Sequence, residues 1–365
     1  MTSQQHDIRH MRHALRLAER ALGTVAPNPA VGCVIVSASG HIVGRGWTQS
    51  GGRPHAETVA LAQAGDASRG GTAYVSLEPC AHHGVTPPCS DALISVGVAR
   101  VVGAVVDPDP RVSGQGFARL EAAGVAVTCG VLEKEAAALN AGFFRRVGAN
   151  RPLVALKIAQ SVDGFVADAN GRSKWITSEQ ARRHGQLLRA RYDAILVGIG
   201  TVLADDPALT CRLPGLEKRS PLRVVLDSQL RLPPVSQLAS TAAVHPTIVF
   251  TTVEKGGEEL AAQGIEIVRM PQFSRPTLHD VLATLARRGI TRLLVEGGPT
   301  IHGAFVQDKL VDVVHVYRAP LVLGAGGRPA VQVAQSLPLS QAPRLHLIER
   351  QVLGPDVLES FSFTV

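Results

Sequence analysis

Residues 55–89 read HAETVALAQAGDASRGGTAYVSLEPCAHHGVTPPC, and this stretch decides the fold class of the first half of the chain. The apolar positions after His55 predict a helix over residues 56–64. An apolar run then predicts a strand over residues 73–77, and a helical stretch over 91–96 follows Cys89. Strands that alternate with helices are typical of an α/β layered domain.

The same alternation continues on both sides of this stretch. Apolar residues recur at helical spacing before Gly23, and short apolar runs bounded by Gly and Ser indicate strands. The other predicted elements of the first half are helices over 8–22 and 117–123 and strands over 31–36, 42–43, 101–106 and 125–128.

The pattern breaks at Gly148-Ala149-Asn150-Arg151-Pro152 and then restarts. Domains typically contain roughly 100–200 residues, so a chain of 365 residues is long enough for two. We therefore predict two domains, residues 1–149 and residues 150–365. The second is again α/β, with predicted strands over 153–158, 194–197, 222–226, 247–250, 265–268 and 293–295 and helices over 177–191, 279–288 and 301–306.

Composition and charge argue against several classes of protein. The five cysteines are an odd number, which does not fit a disulfide framework, and no secretory signal is recognisable, so we expect a cytoplasmic protein. No apolar run reaches the roughly 18 residues of a spanning helix, which argues against a membrane protein. The net charge of +7 fits a phosphorylated ligand. Aromatic residues make up only 4%, so we expect no nucleic-acid partner.

Three short motifs form a candidate metal site: His55-Ala56-Glu57, Glu78-Pro79-Cys80 and Pro87-Pro88-Cys89. One imidazole and two thiolates suit zinc and leave a fourth coordination position for water. Bound zinc lowers the pKa of that water toward about 7 and so provides hydroxide at neutral pH. Glu57 lies two residues from a ligand and is suited to carry protons to a ring nitrogen and to a leaving amino group. The pattern predicts a zinc-dependent deaminase of an amino-substituted nitrogen heterocycle.

Two plainer interpretations compete with a catalytic site. Cys80 and Cys89 could be buried structural thiols, which is the usual role of free cysteine. Alternatively, His82 or His83 could close the zinc site as a fourth ligand, which would leave Glu57 without a task. The three motifs in order, with proline before each cysteine, favour the catalytic interpretation.

A glycine turn marks the second half. Val295-Glu296-Gly297-Gly298-Pro299-Thr300 ends a predicted strand and begins a predicted helix. Glycines allow backbone to approach a ligand, and the free amides of a helix start favour a phosphate. The sequence is not G-x-G-x-x-G, so it does not predict a Rossmann fingerprint, and a tight structural turn is the plainer interpretation.

The chain resembles the bifunctional deaminase–reductase family of riboflavin biosynthesis. Glu78-Pro79-Cys80-Ala81-His82-His83-Gly84, followed by Thr86-Pro87-Pro88-Cys89, is similar to that family's zinc motif, and its cysteine spacing is longer than the C-x-x-C of cytidine deaminases. The resemblance implies a cytidine-deaminase-like three-layer domain. It also implies deamination of 2,5-diamino-6-(5-phosphoribosylamino)pyrimidin-4(3H)-one to the uracil, with Asn28 and His82 contacting the base.

The resemblance extends through the second half. Residues 157–159, 161–164, 173–177 and 201–207 resemble motifs of a dihydrofolate-reductase-like domain that uses NADPH to reduce the ribosyl to the ribityl side chain. Lys157 and Asp205 are candidates for proton transfer during ring opening. The resemblance implies substrate contacts at Ser173, Arg189, Arg212 and Glu296, with both arginines able to offer paired donors to a phosphate. The implied cofactor residues are Ala159, Trp175, Thr201, Asp205, Ser228, Gly298, Pro299, Thr300, Ile301, His302, Gly303 and Ala304.

Two positions depart from the family pattern. Some relatives carry a basic residue at the position of Val85, and Asn is common at the position of Asp109. Two other functions stay open: a nucleic-acid deaminase with an accessory domain, and a non-enzymatic binding protein that zinc stabilises. A homodimer is expected because domains of these two kinds often pair.

Overall fold

The computed structural model describes residues 2–82, 87–110, 112–272, 274–333 and 338–363. The chain divides into two compact units, Met1–Arg151 and Pro152–Val365. In the described ranges, no helix has the length and apolar character needed to cross a membrane.

The first unit is built on a five-stranded sheet of order β2-β1-β3-β4-β5, in which β1 is antiparallel to β2 and β3, while β3, β4 and β5 are parallel. Its helices and strands, in chain order, are α1 (Ser3–Ala18), β1 (Gly32–Val36), β2 (Ile42–Trp47), α2 (Ala56–Ala64), β3 (Thr72–Val75), α3 (Cys89–Val96), β4 (Arg100–Gly103), α4 (Gln115–Ala122), β5 (Ala126–Thr128), α5 (Glu133–Leu139) and α6 (Ala141–Ala149).

Glycines let helices pack closely on both faces of this sheet. A Cβ at Gly32 would overlap the backbone of α1 at Ala14, and a Cβ at Gly46 would overlap the backbone of α2 at Ala56. Gly32 pairs with Trp47, so its side-chain direction is opposite to that of Gly46. The two helices therefore cover opposite faces, which gives the three-layer α/β arrangement that the resemblance implies.

The second unit contains a nine-stranded sheet of order β11-β10-β9-β8-β12-β6-β13-β16-β15 and a small sheet that pairs β14 with β7. Its helices and strands, in chain order, are β6 (Leu153–Ser161), β7 (Phe165–Ala167), α7 (Glu179–Arg189), β8 (Ala194–Gly198), α8 (Ile199–Asp205), β9 (Leu222–Leu226), α9 (Gln237–Ser240), β10 (Thr247–Thr251), α10 (Glu258–Ala262), β11 (Ile265–Arg269), α11 (Leu278–Arg287), β12 (Arg292–Val295), α12 (Pro299–Gln307), β13 (Val313–Ala319), β14 (Arg328–Pro329), β15 (Leu345–Leu353) and β16 (Asp356–Phe363).

The large sheet is parallel from β11 to β13 and antiparallel from β13 to β15. Its strands carry apolar side chains on both faces: Leu196 belongs to one core cluster and Val197 to the other. Helices cover both faces of such a sheet, and ligands bind beyond the carboxyl ends of its parallel strands. The helix predicted over 177–191 begins one residue later than its capping-box-like sequence suggests, because Ser178 is the N-cap and its hydroxyl accepts from the Ala181 amide.

Candidate active sites

The first unit brings together His55, Cys80 and Cys89. His55 is the N-cap of α2, Cys80 follows β3, and Cys89 is the first residue of α3. Nδ1 of His55 lies 3.3 Å from Sγ of Cys89 and 3.6 Å from Sγ of Cys80. The three ligand atoms lie within 4.8 Å of one another. One nitrogen and two sulfur donors at this separation fit the ligand chemistry of zinc.

The hydrogen bonds of the site favour a thiolate. Sγ of Cys80 accepts from the Cys89 backbone amide at 3.3 Å. Hydrogen bonding from the Cys89 thiol, supported by His55, lowers the pKa of Cys80 to about 4, although burial opposes this. The same hydrogen bond raises the pKa of Cys89, and burial adds to that effect. The hydrogen bond with Cys80 also raises the pKa of His55. Of the two thiols, Cys80 is therefore the one that ionises more readily.

Glu57 lies beside these ligands but is not part of the ligand group. It is in the first turn of α2 and is only 3% exposed. Burial, together with the charge of Cys80, raises the pKa of its carboxyl to about 7. A carboxyl that exchanges its proton near neutral pH suits general acid–base work.

A fourth protein ligand is absent from the ligand group among the described residues. His82 is exposed and does not join it, whereas His83 lies outside the described residues. The closed structural site was predicted to need one of these two imidazoles. The three ligands found among the described residues supply three of the four positions that zinc prefers.

The second unit contains a cavity of about 970 Å³ at the carboxyl ends of β6, β8 and β12. Gly198 ends β8 and Glu296 directly follows β12, and both line the cavity. Lys157, in the middle of β6, lines it as well. The N-cap of α12, Gly298, and its first residue, Pro299, form part of the wall. Backbone amides at a helix start of this kind bind phosphate groups well.

A buried ion pair lies at the floor of this cavity. Arg189 donates through Nε and one Nη to the two carboxylate oxygens of Glu296, both at 2.8 Å, and through its other Nη to the Thr210 carbonyl at 3.0 Å. Nζ of Lys157 lies 3.9 Å from Glu296. Burial disfavours the ionised form of Glu296, but Arg189 and Lys157 hold its pKa at about 2. Burial lowers the pKa of Lys157.

Comparisons with known proteins agree with this pair of sites. Residues 4–105 match the family model described as the cytidine and deoxycytidylate deaminase zinc-binding region, and residues 152–358 match the RibD C-terminal domain. The chain is 43% identical over 360 residues to the riboflavin biosynthesis protein RibD of Escherichia coli K12, which covers 95% of this chain and 97% of the relative. It is 43% identical over 321 residues to RibD of Aquifex aeolicus, covering 88% of each.

Solved structures also identify RibD proteins as similar to this chain. RibD of Acinetobacter baumannii, in its form 1, superposes with a TM-score of 0.89 at 38% identity and covers all of both chains. A Thermotoga maritima diaminohydroxyphosphoribosylaminopyrimidine deaminase/5-amino-6-(5-phosphoribosylamino)uracil reductase superposes with a TM-score of 0.89 at 34% identity, again over all of both chains.

The chain belongs to the RibD family.

As a RibD protein, it is a bifunctional enzyme of riboflavin biosynthesis that combines a zinc-dependent deaminase with an NADPH-dependent reductase. The cytidine-deaminase-like and reductase folds predicted from the sequence are both confirmed. His55, Cys80 and Cys89 are the residues of this RibD chain that fit zinc. The cavity of the second unit fits an extended cofactor because it combines a helix start with several cationic side chains.

Most residues predicted for the RibD reductase line this one cavity. The predicted residues among its lining are Lys157, Ala159, Ser173, Trp175, Arg189, Thr201, Asp205, Arg212, Glu296, Gly298, Pro299, Thr300, Ile301 and His302. Three predicted cofactor residues do not line it. Ser228 accepts hydrogen bonds from Thr251 and Thr252 through its carbonyl, Gly303 packs against the Gln332 backbone, and Ala304 packs against the apolar core.

One expectation about Arg189 needs correction. Arg189 was expected to offer paired donors to a phosphate, but its Nε and one Nη hold Glu296. Arg212 is exposed at the cavity and is the better placed of the two arginines to meet a phosphate.

In the deaminase unit, Asn28 is half-buried and its side chain packs on Gly52, while Val85 lies outside the described residues. Asp109 is buried, and its amide donates to the Asp107 carboxylate at 2.8 Å. Burial raises the pKa of Asp107 to about 6.

Sequence reasoning missed the role of Glu78. Its buried carboxylate accepts backbone amides from Asp107, Gly114, Gly116 and Phe117, at 2.7–3.4 Å. Glu78 therefore fixes the loop before α4 next to the segment that carries Cys80. Its partners lie far along the chain, and no local pattern in the sequence reveals them.

Proposed function

We propose that this enzyme deaminates 2,5-diamino-6-(5-phosphoribosylamino)pyrimidin-4(3H)-one to the uracil and then reduces its ribosyl side chain to ribityl. The observation that carries the proposal is the three-ligand group of His55, Cys80 and Cys89 with the buried Glu57 beside it. The name of the Thermotoga relative, which specifies the same two activities, supports the choice of substrate.

The deaminase chemistry follows from the residues of the first unit. Zinc, when bound, acts as a Lewis acid and supplies a nucleophile from water at neutral pH. Glu57 would carry two protons in turn. It takes the first from the attacking water and gives it to the ring nitrogen; it then takes the second from the hydroxyl formed on the ring carbon and gives it to the amino group, which leaves as ammonia. Its raised pKa allows transfer in both directions near pH 7. Asn28 and His82 hold the base of the substrate. Residues 1–149 form this deaminase domain.

The reductase chemistry uses the cavity of the second unit, in the domain of residues 150–365. NADPH, when bound, supplies the hydride for the anomeric carbon. Lys157 donates a proton to the ribose ring oxygen as the ring opens, and its lowered pKa favours that donation. Arg189 fixes Glu296, which with Ser173 binds ribose hydroxyls, and Arg212 meets the phosphate. Asp205, exposed at the cavity rim, assists proton transfer.

Cofactor contacts are assigned to the residues that the resemblance names. Ala159, Trp175, Thr201 and Asp205 line the cavity together with the turn Gly298–His302, and these form the inner part of the proposed NADPH site. Ser228, Gly303 and Ala304 belong to the same proposal, but as residues that support the walls.

A two-stage assay on zinc-loaded protein tests the proposal. The diaminopyrimidine substrate is added first and ammonia is measured; NADPH is then added and its absorbance is followed. Ammonia before NADPH, followed by NADPH consumption, supports both steps. If zinc is bound and no ammonia appears, the substrate assignment of the first unit fails. If ammonia appears but NADPH is not consumed, the substrate assignment of the second fails.

We further propose a cytoplasmic homodimer. All five cysteines are free thiols, which fits a reducing compartment and therefore the cytoplasm.

The surface proposed for the dimer is strand β15. It is the last strand of the nine-stranded sheet, and eight of its nine residues are exposed, including Leu347 at 57% and Val352 at 72%. A long apolar edge strand invites pairing unless another surface covers it. A second copy of the chain would cover it through a symmetric contact.

Sedimentation velocity tests the dimer. Wild type is expected to sediment as a dimer, and the double variant Leu347→Lys/Val352→Lys as a monomer, because charges on the strand oppose its burial. Val244→Lys, at an exposed apolar site outside β15, is the control that keeps the dimer. A monomeric wild type at micromolar concentration contradicts the proposal.

A further inference from the structure

Trp175 is an exposed aromatic residue in the lining of the reductase cavity. Its side chain is 69% exposed, yet it lines the cavity at the segment between Ser173 and helix α7. Because most of its surface is exposed, apolar packing alone does not fix the orientation of this indole, and a contact with a neighbouring side chain is required. The structure provides one neighbour that does so.

That neighbour is Arg182 in the first turn of α7. The Cζ atom of its guanidinium lies 4.5 Å from the centroid of the Trp175 ring, within cation–π range. The same guanidinium donates from Nη1 to the Thr177 carbonyl at 2.6 Å. One side chain therefore holds both the indole and the backbone two residues further on.

The base of the segment is fixed independently. The Ser178 amide donates to the Asp356 carboxylate at 2.7 Å, and the Ser178 hydroxyl donates to the Leu353 carbonyl at 3.2 Å. Arg182 is thus the contact that orients Trp175 above an already anchored base. Arg182 and Arg189 both line the cavity and lie seven positions apart, which places them two turns apart on one face of α7. The same helix therefore holds Glu296 through Arg189 and Trp175 through Arg182.

We infer that Arg182 is a positioning residue that covers one face of the Trp175 indole and presents the other face to a planar ring of NADPH. Aromatic faces stack well on planar heterocycles, and an indole already fixed in place loses less conformational entropy when a ligand binds. The inference rests on the proposed contact between Trp175 and the cofactor. Nothing in it requires Arg182 to touch the reacting atoms.

The experiment uses the full-length zinc-loaded protein with Trp47→Phe, which leaves Trp175 as the single tryptophan of the chain. Arg182→Met removes the charge and the planar group but keeps an unbranched side chain; Arg182→Lys keeps the charge alone. Arg183→Met is the matched control, because Arg183 is the next residue on α7, is exposed and does not line the cavity. Circular dichroism and thermal unfolding of the second unit, which carries Arg182 and Arg183, report that each variant is folded.

Without ligand, Arg182→Met is expected to increase acrylamide quenching of Trp175 and to lower its fluorescence anisotropy, with Arg182→Lys intermediate. The Kd for NADPH, from the change in Trp175 fluorescence, is expected to rise about 2–5-fold in Arg182→Met, the scale of an exposed cation–π contact. Arg183→Met should match the parent in all three measurements.

Two results overturn the inference. If quenching and anisotropy in Arg182→Met equal those of Arg183→Met, Arg182 does not hold the indole. If they change while the Kd for NADPH does not, the cofactor does not use the indole face. Failure of the proposed cofactor contact itself is distinguishable, because Trp175→Phe would then leave the Kd for NADPH, measured by calorimetry, unchanged. Should Trp47→Phe fail to fold, fluorine-19 spectra of the chain labelled with fluorotryptophan provide the same readout, with Trp175→Phe identifying the resonance.

Discussion

At the scale of single residues, the deaminase site combines a local pattern with distant partners. His55 is the N-cap of α2 and Glu57 lies in its first turn, so the sequence alone could predict that they lie together. Cys80, in the segment after β3, and Cys89, at the start of α3, join them, and the Cys89 amide donates to Cys80 Sγ. The sequence could not predict that the Arg189 side chain donates hydrogen bonds to Glu296, because these two residues are 107 positions apart.

Replacing Glu57 by Gln should stop deamination and spare the metal. The amide occupies nearly the same volume but cannot carry a proton, so ammonia release should fall by at least about 10²-fold. Zinc content, measured by elemental analysis, should stay at the wild-type value because Glu57 is outside the ligand group. Reduction of separately supplied uracil intermediate serves as the control and should be unchanged. Wild-type ammonia release by a zinc-loaded variant would remove Glu57 from the mechanism.

Replacing Glu296 by Gln should destabilise the second unit. Arg189 and Lys157 would keep their buried charges without a partner, which typically costs about 3–5 kcal/mol. Hydrogen exchange of the amides in β6 and β12 measures that loss. Glu266→Gln removes the exposed ion pair with Arg288 and should change stability by under about 1 kcal/mol. Equal effects of the two substitutions would contradict the prediction.

The pH dependence of the same ion pair has a definite sign. Because the folded pKa of Glu296 is about 2 and its ordinary value is 4.5, its ionised form stabilises the fold fully above about pH 4.5. That stabilisation is lost as the pH falls toward 2. In Glu296→Gln this acid-dependent part should disappear from the hydrogen-exchange profile, while the remaining carboxylates keep theirs.

At the scale of elements, the sequence predicts best those helices and strands whose bounds are determined by nearby residues. The helix predicted over 56–64 and the strand predicted over 222–226 have those bounds in the structure, since turn residues flank both apolar segments. No element is predicted after residue 306, although strands β13 to β16 lie there. Strand β15 is exposed on both faces, so it lacks the alternation that identifies a half-buried strand. Its place is set by pairing with β16.

Helix α12 should be sensitive to one added methyl group. A Cβ at Gly303 would overlap the Gln332 carbonyl oxygen, a backbone atom that cannot move aside alone. Gly303→Ala should therefore displace α12, destabilise the second unit by at least about 1–3 kcal/mol and weaken NADPH binding. Calorimetric NADPH binding and thermal unfolding measure these effects. Gly148→Ala, at a helical glycine with open space around it, is the control and should be neutral or slightly stabilising. Identical behaviour of the two variants would show that the contact at Gly303 is not tight.

At the scale of the whole molecule, each unit has its own sheet and its own core. The first unit packs its helices on a five-stranded sheet around one main apolar cluster, and the second builds two clusters on the two faces of its nine-stranded sheet. The candidate zinc ligands and Glu57 all belong to the first unit, and the described residues that line the cavity all belong to the second. We therefore expect each catalytic step to use the side chains of one unit.

This separation predicts that the two units work when expressed apart. A fragment of residues 1–151 should fold and release ammonia with zinc alone, and a fragment of residues 152–365 should consume NADPH with the deaminated intermediate, because a unit with its own core can fold alone. Circular dichroism and the two assays measure this, with an equimolar mixture of the fragments as the control. If each fragment folds but only the mixture turns over substrate, a side chain from the other unit completes the site. Activity of each fragment at the full-length rate would assign each reaction to one unit.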